Sequence, residues 1–134
     1  MKRILLPILV IELLLLGACG TPSETPSPTP TTQAELQLIK EWTGTGIKTT
    51  EPFTINSKPW AISWANNPTL IGGQSMGILQ IMVYNTRNPN ILASLAANST
   101  ERGSDTSYVY ETGTFYLTIN AANTQWVVQV WASR

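Results

Sequence analysis

From about residue 36 onward the hydrophobic pattern has a period of two. In the segment 59–65, Trp60, Ile62 and Trp64 fall on one side of an extended chain, and Ala61, Ser63 and Ala65 on the other. Segment 114–120 repeats the alternation, with Phe115, Leu117 and Ile119 directed inward and Tyr116 and Thr118 outward. Phe53 and Ile55 alternate in the same way. Segments 77–85 and 125–132 are apolar on both faces, which predicts central strands covered on two sides or lining an interface. Weaker strands are expected at 36–42, 91–96 and 106–111. Within 89–97 the spacing of Ile91, Leu92 and Leu95 also suits a helix.

Turn formers fall between these runs: Asn66-Asn67-Pro68, the segment 85–90, Thr112-Gly113 and the segment 120–124. Asn and Gly accept left-handed backbone, and proline ends a strand without removing a ladder donor. Seven or eight short strands so punctuated predict an all-β domain, a jelly-roll-like antiparallel β-sandwich over residues 36–134.

A different pattern precedes it. Met1-Lys2-Arg3 opens the chain, an apolar run covers Ile4 to Leu16, and Leu16-Gly17-Ala18-Cys19 closes it on the sole cysteine. This resembles the lipobox family of bacterial lipoprotein signal peptides: a cationic start, an apolar stretch, then an aliphatic residue, two small residues and Cys. The resemblance implies removal of residues 1–18 and acylation of Cys19, so membrane lipid is the first expected partner. Two other readings compete. A transmembrane helix needs roughly 20 apolar residues, whereas this run is short and carries Pro7 and Glu12. An ordinary secretory signal would also cleave after Gly17-Ala18, but gives Cys19 no role.

Residues 19–35 then form a tether. Pro22, Pro26, Pro28 and Pro30 alternate with Ser and Thr, and no large apolar residue appears before the domain. Such a segment buries too little surface to offset its ordering entropy and is expected to be disordered or polyproline II. At about 3.1 Å per residue it would hold a domain tens of ångströms from a bilayer.

Composition narrows the chemistry. With Cys19 assigned to lipid, the domain has no thiol for a disulfide, a zinc ligand or a nucleophile. The chain has no histidine, which removes Ser-His and Cys-His catalysis and His-ligated metals. Lys40, Lys48, Lys58, Arg87, Arg102 and Arg134 are scattered among Glu41, Glu51, Glu101, Asp105 and Glu111. No basic stripe offers itself to nucleic acid. Gly72-Gly73-Gln74-Ser75 and Gly103-Ser104-Asp105 read as turns, without a base partner or a phosphate-loop lysine. Glu101, Asp105 and Glu111 are the candidates for a glycosidase-type pair, which needs carboxyls about 5–10 Å apart. They lack the dense spacing of a calcium loop.

The order Phe53, then Trp60-Ala61-Ile62-Ser63-Trp64, then 78–84 (Ile-Leu-Gln-Ile-Met-Val-Tyr), then 113–119 (Gly-Thr-Phe-Tyr-Leu-Thr-Ile) resembles prepeptidase-C-terminal-type β-sandwich domains and their jelly-roll relatives. The resemblance covers roughly residues 50–132. It implies an accessory module that binds extracellular polymers or calcium, and a late strand leading into a final hairpin. The Asp-rich ligand loops of such calcium sites are missing here.

Aromatic residues remain. Five tryptophans in a chain of this size offer core anchors, sugar-stacking platforms or protein hot spots. Parity assigns Trp60, Trp64 and Trp126 to the core and leaves Tyr108, Tyr110, Tyr116 and Trp131 as the candidate ligand-binding residues. The expected protein is a lipid-anchored lipoprotein on the extracytoplasmic face of the bacterial cell envelope. Its domain is expected to be non-catalytic, with no cofactor or metal, and to bind an envelope protein or a glycan. A polysaccharide-binding lipoprotein using exposed aromatics is the first alternative, and a small carboxylate-dependent hydrolase or inhibitor the second.

Overall fold

The computed structural model describes residues 35–133. The signal-like segment 1–18, Cys19 and all of the tether but Glu35 lie outside the described residues. The rest is an antiparallel β-sandwich. Its strands are β1 (Gln37–Gly44), β2 (Lys48–Thr49), β3 (Phe53–Ile55), β4 (Trp60–Pro68), β5 (Leu70–Ile71), β6 (Gln74–Ser75), β7 (Ile78–Asn85), β8 (Leu92–Ser99), β9 (Gly103–Val109), β10 (Gly113–Ala122) and β11 (Thr124–Ala132). One sheet has the order β1-β11-β4-β9. The other has the order β2-β10-β7-β8, with β3 also pairing β10. Most connections between long strands cross from one sheet to the other, and β7–β8 is the exception that stays within its sheet.

The inward rows are those the alternation predicts. Phe53, Trp60, Ile62, Leu79, Ile81, Val83, Phe115, Leu117, Ile119, Trp126, Val128 and Val130 are all buried. Trp42, Phe53, Trp60 and Phe115 form a chain of ring contacts with centroids 5.8, 5.8 and 5.1 Å apart. Trp60 donates its indole N–H to the Glu111 carbonyl at 2.9 Å, so its burial leaves no polar atom unsatisfied. Trp64 departs from its expected full burial. It faces inward but stands near the open lip of the sandwich, partly buried against the core.

Two seams join the sheets. On one side Glu51 accepts from the Trp42 indole at 3.3 Å and pairs with Lys40 at 3.5 Å. On the other, the Ala96 carbonyl on β8 accepts from Trp64 Nε1 at 3.1 Å and Ser107 Oγ at 2.6 Å. That carbonyl is free because the β7–β8 register shifts there: Ile81 faces Ala97 and Met82 faces Leu95, leaving Ala96 unpaired. A second shift leaves out Ala93. The segment expected as strand or helix is therefore a doubly bulged edge strand.

The implied final hairpin does not form. Strands β10 and β11 lie in different sheets, and the chain passes between them through Asn123 alone, at φ 52°. Asparagine tolerates this left-handed backbone. Asn123 also ties down the β4–β7 connection: its carbonyl accepts from Thr69 N at 2.8 Å, and its side-chain amide donates to the Met76 carbonyl at 3.3 Å. Gly77 passes so close that a Cβ there would lie 2.6 Å from Pro68 Cβ and 2.7 Å from the Asn123 carbonyl. Gly72 and Gly73, at φ 61° and 80°, form the expected turn, here at the tip of the small β5–β6 hairpin.

Candidate functional site

Residues directly opposite one another in antiparallel strands point to the same face. The register across the four-stranded sheet aligns Leu38 with Trp131, Trp131 with Ala61, and Ala61 with Tyr108. Four side chains from β1, β11, β4 and β9 thus form one row on the outer face. Trp131 and Tyr108 are two strands apart, about 10 Å at the usual strand spacing. Between them Ala61 is only 2% exposed although no second layer covers this face among the described residues. Its large neighbours shelter its methyl group, and the row becomes a continuous apolar platform.

Trp131 differs from the other tryptophans. The indole N–H groups of Trp42, Trp60, Trp64 and Trp126 all donate to protein acceptors, whereas that of Trp131 meets none among the described residues. Its ring is half-buried, and Tyr108 is 53% exposed. Tyr110, just beyond β9, has the parity of Tyr108 and is exposed. Three of the four aromatic candidates are therefore on or beside one face.

The next row of that face is polar: Glu41, Gln129, Ser63 and Thr106. Ser63 and Thr106 share a hydroxyl–hydroxyl bond of 2.9 Å, and Gln129 donates to the Glu41 carboxylate. The third row is Thr43, Val127, Ala65 and Ser104, and beyond it Gln125 faces Asn67. These small side chains leave two shallow depressions of about 410 and 450 Å³. Both are lined in part by Ala65 and Val127, so they form one trough along β4 and β11. The central strand β11 is thus covered on its inner side and, among the described residues, open on its outer side. Of the two readings of its composition, the two-sided cover is not met and the lining of an interface is left.

Tyr116 is elsewhere. It belongs to the outer face of the five-stranded sheet, where it lies opposite Tyr84. The two rings stack, with centroids 5.4 Å apart and planes 17° from parallel. The Tyr116 hydroxyl also reaches the Pro89 carbonyl at 3.5 Å. Tyr116 is consequently half-buried and engaged within its own sheet, not an open platform.

The candidate carboxylates do not converge. Glu101 precedes β9 and Glu111 follows it, which separates them by on the order of 25 Å at the usual rise per residue. Asp105 lies between them on the exposed edge of that strand. Among the described residues, no group of three or more potential metal ligands is brought together.

Sequence reasoning found the aromatics but missed the polar rows and Leu38, because their placement depends on pairings between distant segments. In comparison with known proteins, no family model, no curated protein and no solved structure matched this chain, so the resemblance to prepeptidase-C-terminal-type domains rests on its strand patterns alone.

Proposed function

We propose that this protein is a lipid-anchored lipoprotein of the bacterial cell envelope, held on the extracytoplasmic side through acylated Cys19. Its β-sandwich is a non-catalytic binding module acting through the outer face of the four-stranded sheet. The observation that carries the binding reading is the Leu38–Trp131–Ala61–Tyr108 row: a half-open aromatic platform beside a trough of small polar side chains. Binding sites combine apolar contact area with a few placed polar groups in this way. A carboxylate-dependent hydrolase has less support, since Glu101, Asp105 and Glu111 are strung out along β9.

The anchor is tested by metabolic labelling with a palmitate analogue. Cys19→Ser abolishes the label, and a mutant that labels as strongly as wild type removes the lipoprotein assignment. One acyl chain binds a membrane only marginally, so loss of the multiply acylated cysteine also moves the protein out of the membrane fraction.

A further inference from the structure

We infer that the ligand of this face is an uncharged polysaccharide chain, lying along the trough with one end stacked on the Trp131–Tyr108 platform. The inference rests on the binding-module reading and adds the ligand class.

Three features select this chemistry. The first is charge. Glu41 is the one carboxylate in the three complete outer rows, with its oxygen engaged by the Gln129 amide, and Asp105 lines one of the two depressions. No lysine or arginine stands in those rows, so a polyanionic chain would find no counter-charge. The second is hydrogen-bonding character. Gln129, Ser63, Thr106, Ser104, Asn67 and Gln125 supply neutral groups that both donate and accept. Their mutual bonds leave further capacity: each hydroxyl has a second lone pair, and Gln129 keeps its carbonyl and a second N–H. Sugar hydroxyls need that mixture.

The third feature is shape. The trough runs along β11 from Gln125 to Gln129, and the platform at Trp131 follows on the same face. Trough and platform together cover about six residues of the strand, or roughly 20 Å at the usual rise per residue. That suits a short stretch of polymer better than a single ring. Ala65 and Val127 line both depressions, while Trp64 and Trp126, lining one each, face inward with their indoles bonded to the Ala96 and Gly46 carbonyls. The trough itself thus offers none of the large outward apolar anchors that dominate protein–protein hot spots. The apolar faces of sugar rings have a matching surface at the platform, and the Trp131 N–H, which meets no acceptor among the described residues, supplies a donor there.

The test is calorimetric titration of the full chain in detergent. The ligands are neutral oligosaccharides (β-linked glucose, α-linked glucose and N-acetylglucosamine oligomers), with uronate oligomers as the charged counterpart. Trp131→Ala and Tyr108→Ala are each expected to weaken binding of a neutral oligomer about tenfold, Gln129→Ala by several-fold, and Trp131→Phe by less than Trp131→Ala. Tyr84→Ala, on the opposite sheet, leaves affinity unchanged. Circular dichroism melts establish that each variant is folded, and Trp131→Phe and Gln129→Ala carry the test if an alanine aromatic variant is not. Preference for uronates, or equal binding by wild type, Trp131→Phe and Gln129→Ala, overturns the inference. If no oligosaccharide binds while a photo-crosslinker at position 127 captures an envelope protein in cells, the ligand class fails and the binding-module reading survives. If neither binds, both fail.

Discussion

The two outer faces of the sandwich carry similar numbers of aromatic and polar side chains and use them in opposite ways. On the five-stranded sheet, Tyr116 stacks on Tyr84, the Tyr84 hydroxyl reaches Met82 sulfur at 3.5 Å, and the Asn120 amide donates to Gln80 at 3.3 Å. Leu92 lies beside Tyr84, and Leu95 beside Met82. The two rings on this face engage each other, although Leu92 and Leu95 remain exposed. On the four-stranded sheet, Trp131 and Tyr108 are held apart by Ala61, and the Trp131 N–H has no described acceptor. Exposure alone would not separate these faces. Polar neighbours bond one another on both faces; what separates the faces is whether the aromatic rings are already engaged by a neighbour in the register.

The largest effect that could break this comparison concerns which side of each strand faces in. Trp60→Ala removes a fully buried ring in contact with Phe53 and Phe115, and is expected to cost about 3–5 kcal/mol in denaturant unfolding. Trp131→Ala, on the outer face, is expected to cost no more than about 1 kcal/mol. Comparable losses for the two variants would show that the Trp131 face is packed against something and is not an open platform.

Parity along single strands made most of the interior legible, because alternation reports facing directly. It misled where pairing partners changed the outcome. Trp64 points inward as expected, but it lies beside the edge strands β8 and β9 and is only partly buried. Tyr116 points outward as expected, but its neighbour Tyr84 was not readable from either segment. The ambiguity at 89–97 has a physical cause: bulges at Ala93 and Ala96, three residues apart, break the period of two and imitate helical spacing. Segment 120–124 reads as loop because it is polar, yet Ala121 and Thr124 are buried and the chain turns at Asn123 alone. Of the candidate site, the aromatics were visible in the sequence. The row that assembles Leu38, Trp131, Ala61 and Tyr108 was not, since it joins four segments spread over about ninety residues.

A smaller effect is expected at the buried polar cluster near the β4 end. Thr124 donates to Asn66 Oδ1 at 2.6 Å, and the Asn66 amide donates to the Glu101 carbonyl at 2.9 Å. Asn66→Ala removes both bonds, leaving the Thr124 hydroxyl only its longer bond to the Gln125 carbonyl at 3.3 Å and the Glu101 carbonyl only the Ser99 hydroxyl at 3.2 Å. It should cost roughly 1–3 kcal/mol for the two lost bonds. Because this cluster fixes β4 against the β8–β9 turn and β11, the same variant should also weaken any ligand binding on the four-stranded face. Tyr84→Ala should not.

The contrast between the faces can be sharpened by double-mutant cycles in the absence of ligand. The Tyr84–Tyr116 pair should show a coupling of about 0.5–1.5 kcal/mol, as stacked aromatics do. Trp131 and Tyr108, about 10 Å apart across Ala61, should be additive to within about 0.5 kcal/mol. Strong coupling of the second pair would mean that their rings already contact each other, closing the platform on which a ligand is proposed to sit.

The smallest effect belongs to the seam that joins the two sheets at Glu51. Its carboxyl is held below the ordinary value of 4.5, first by its own backbone N–H, then by the Trp42 indole; desolvation opposes them, and Lys40 adds smaller hydrogen-bonding and coulombic contributions. A folded-state pKa below the unfolded value means that the charged form is favoured by folding. The stabilisation is therefore complete above about pH 4.5 and is lost as pH falls through the lower folded-state value. The Glu51 side chain is exposed, so the effect is small and salt reduces the lysine part of it. In melts taken from roughly pH 6 down to pH 3, Glu51→Gln should lie slightly below wild type at the upper end and converge with it at the lower end. A melting difference that stays constant across the acid range would assign the Trp42–Glu51 contact to neutral hydrogen bonding. The two sheets, for all the contrast between their outer faces, would then be joined on this side without help from charge.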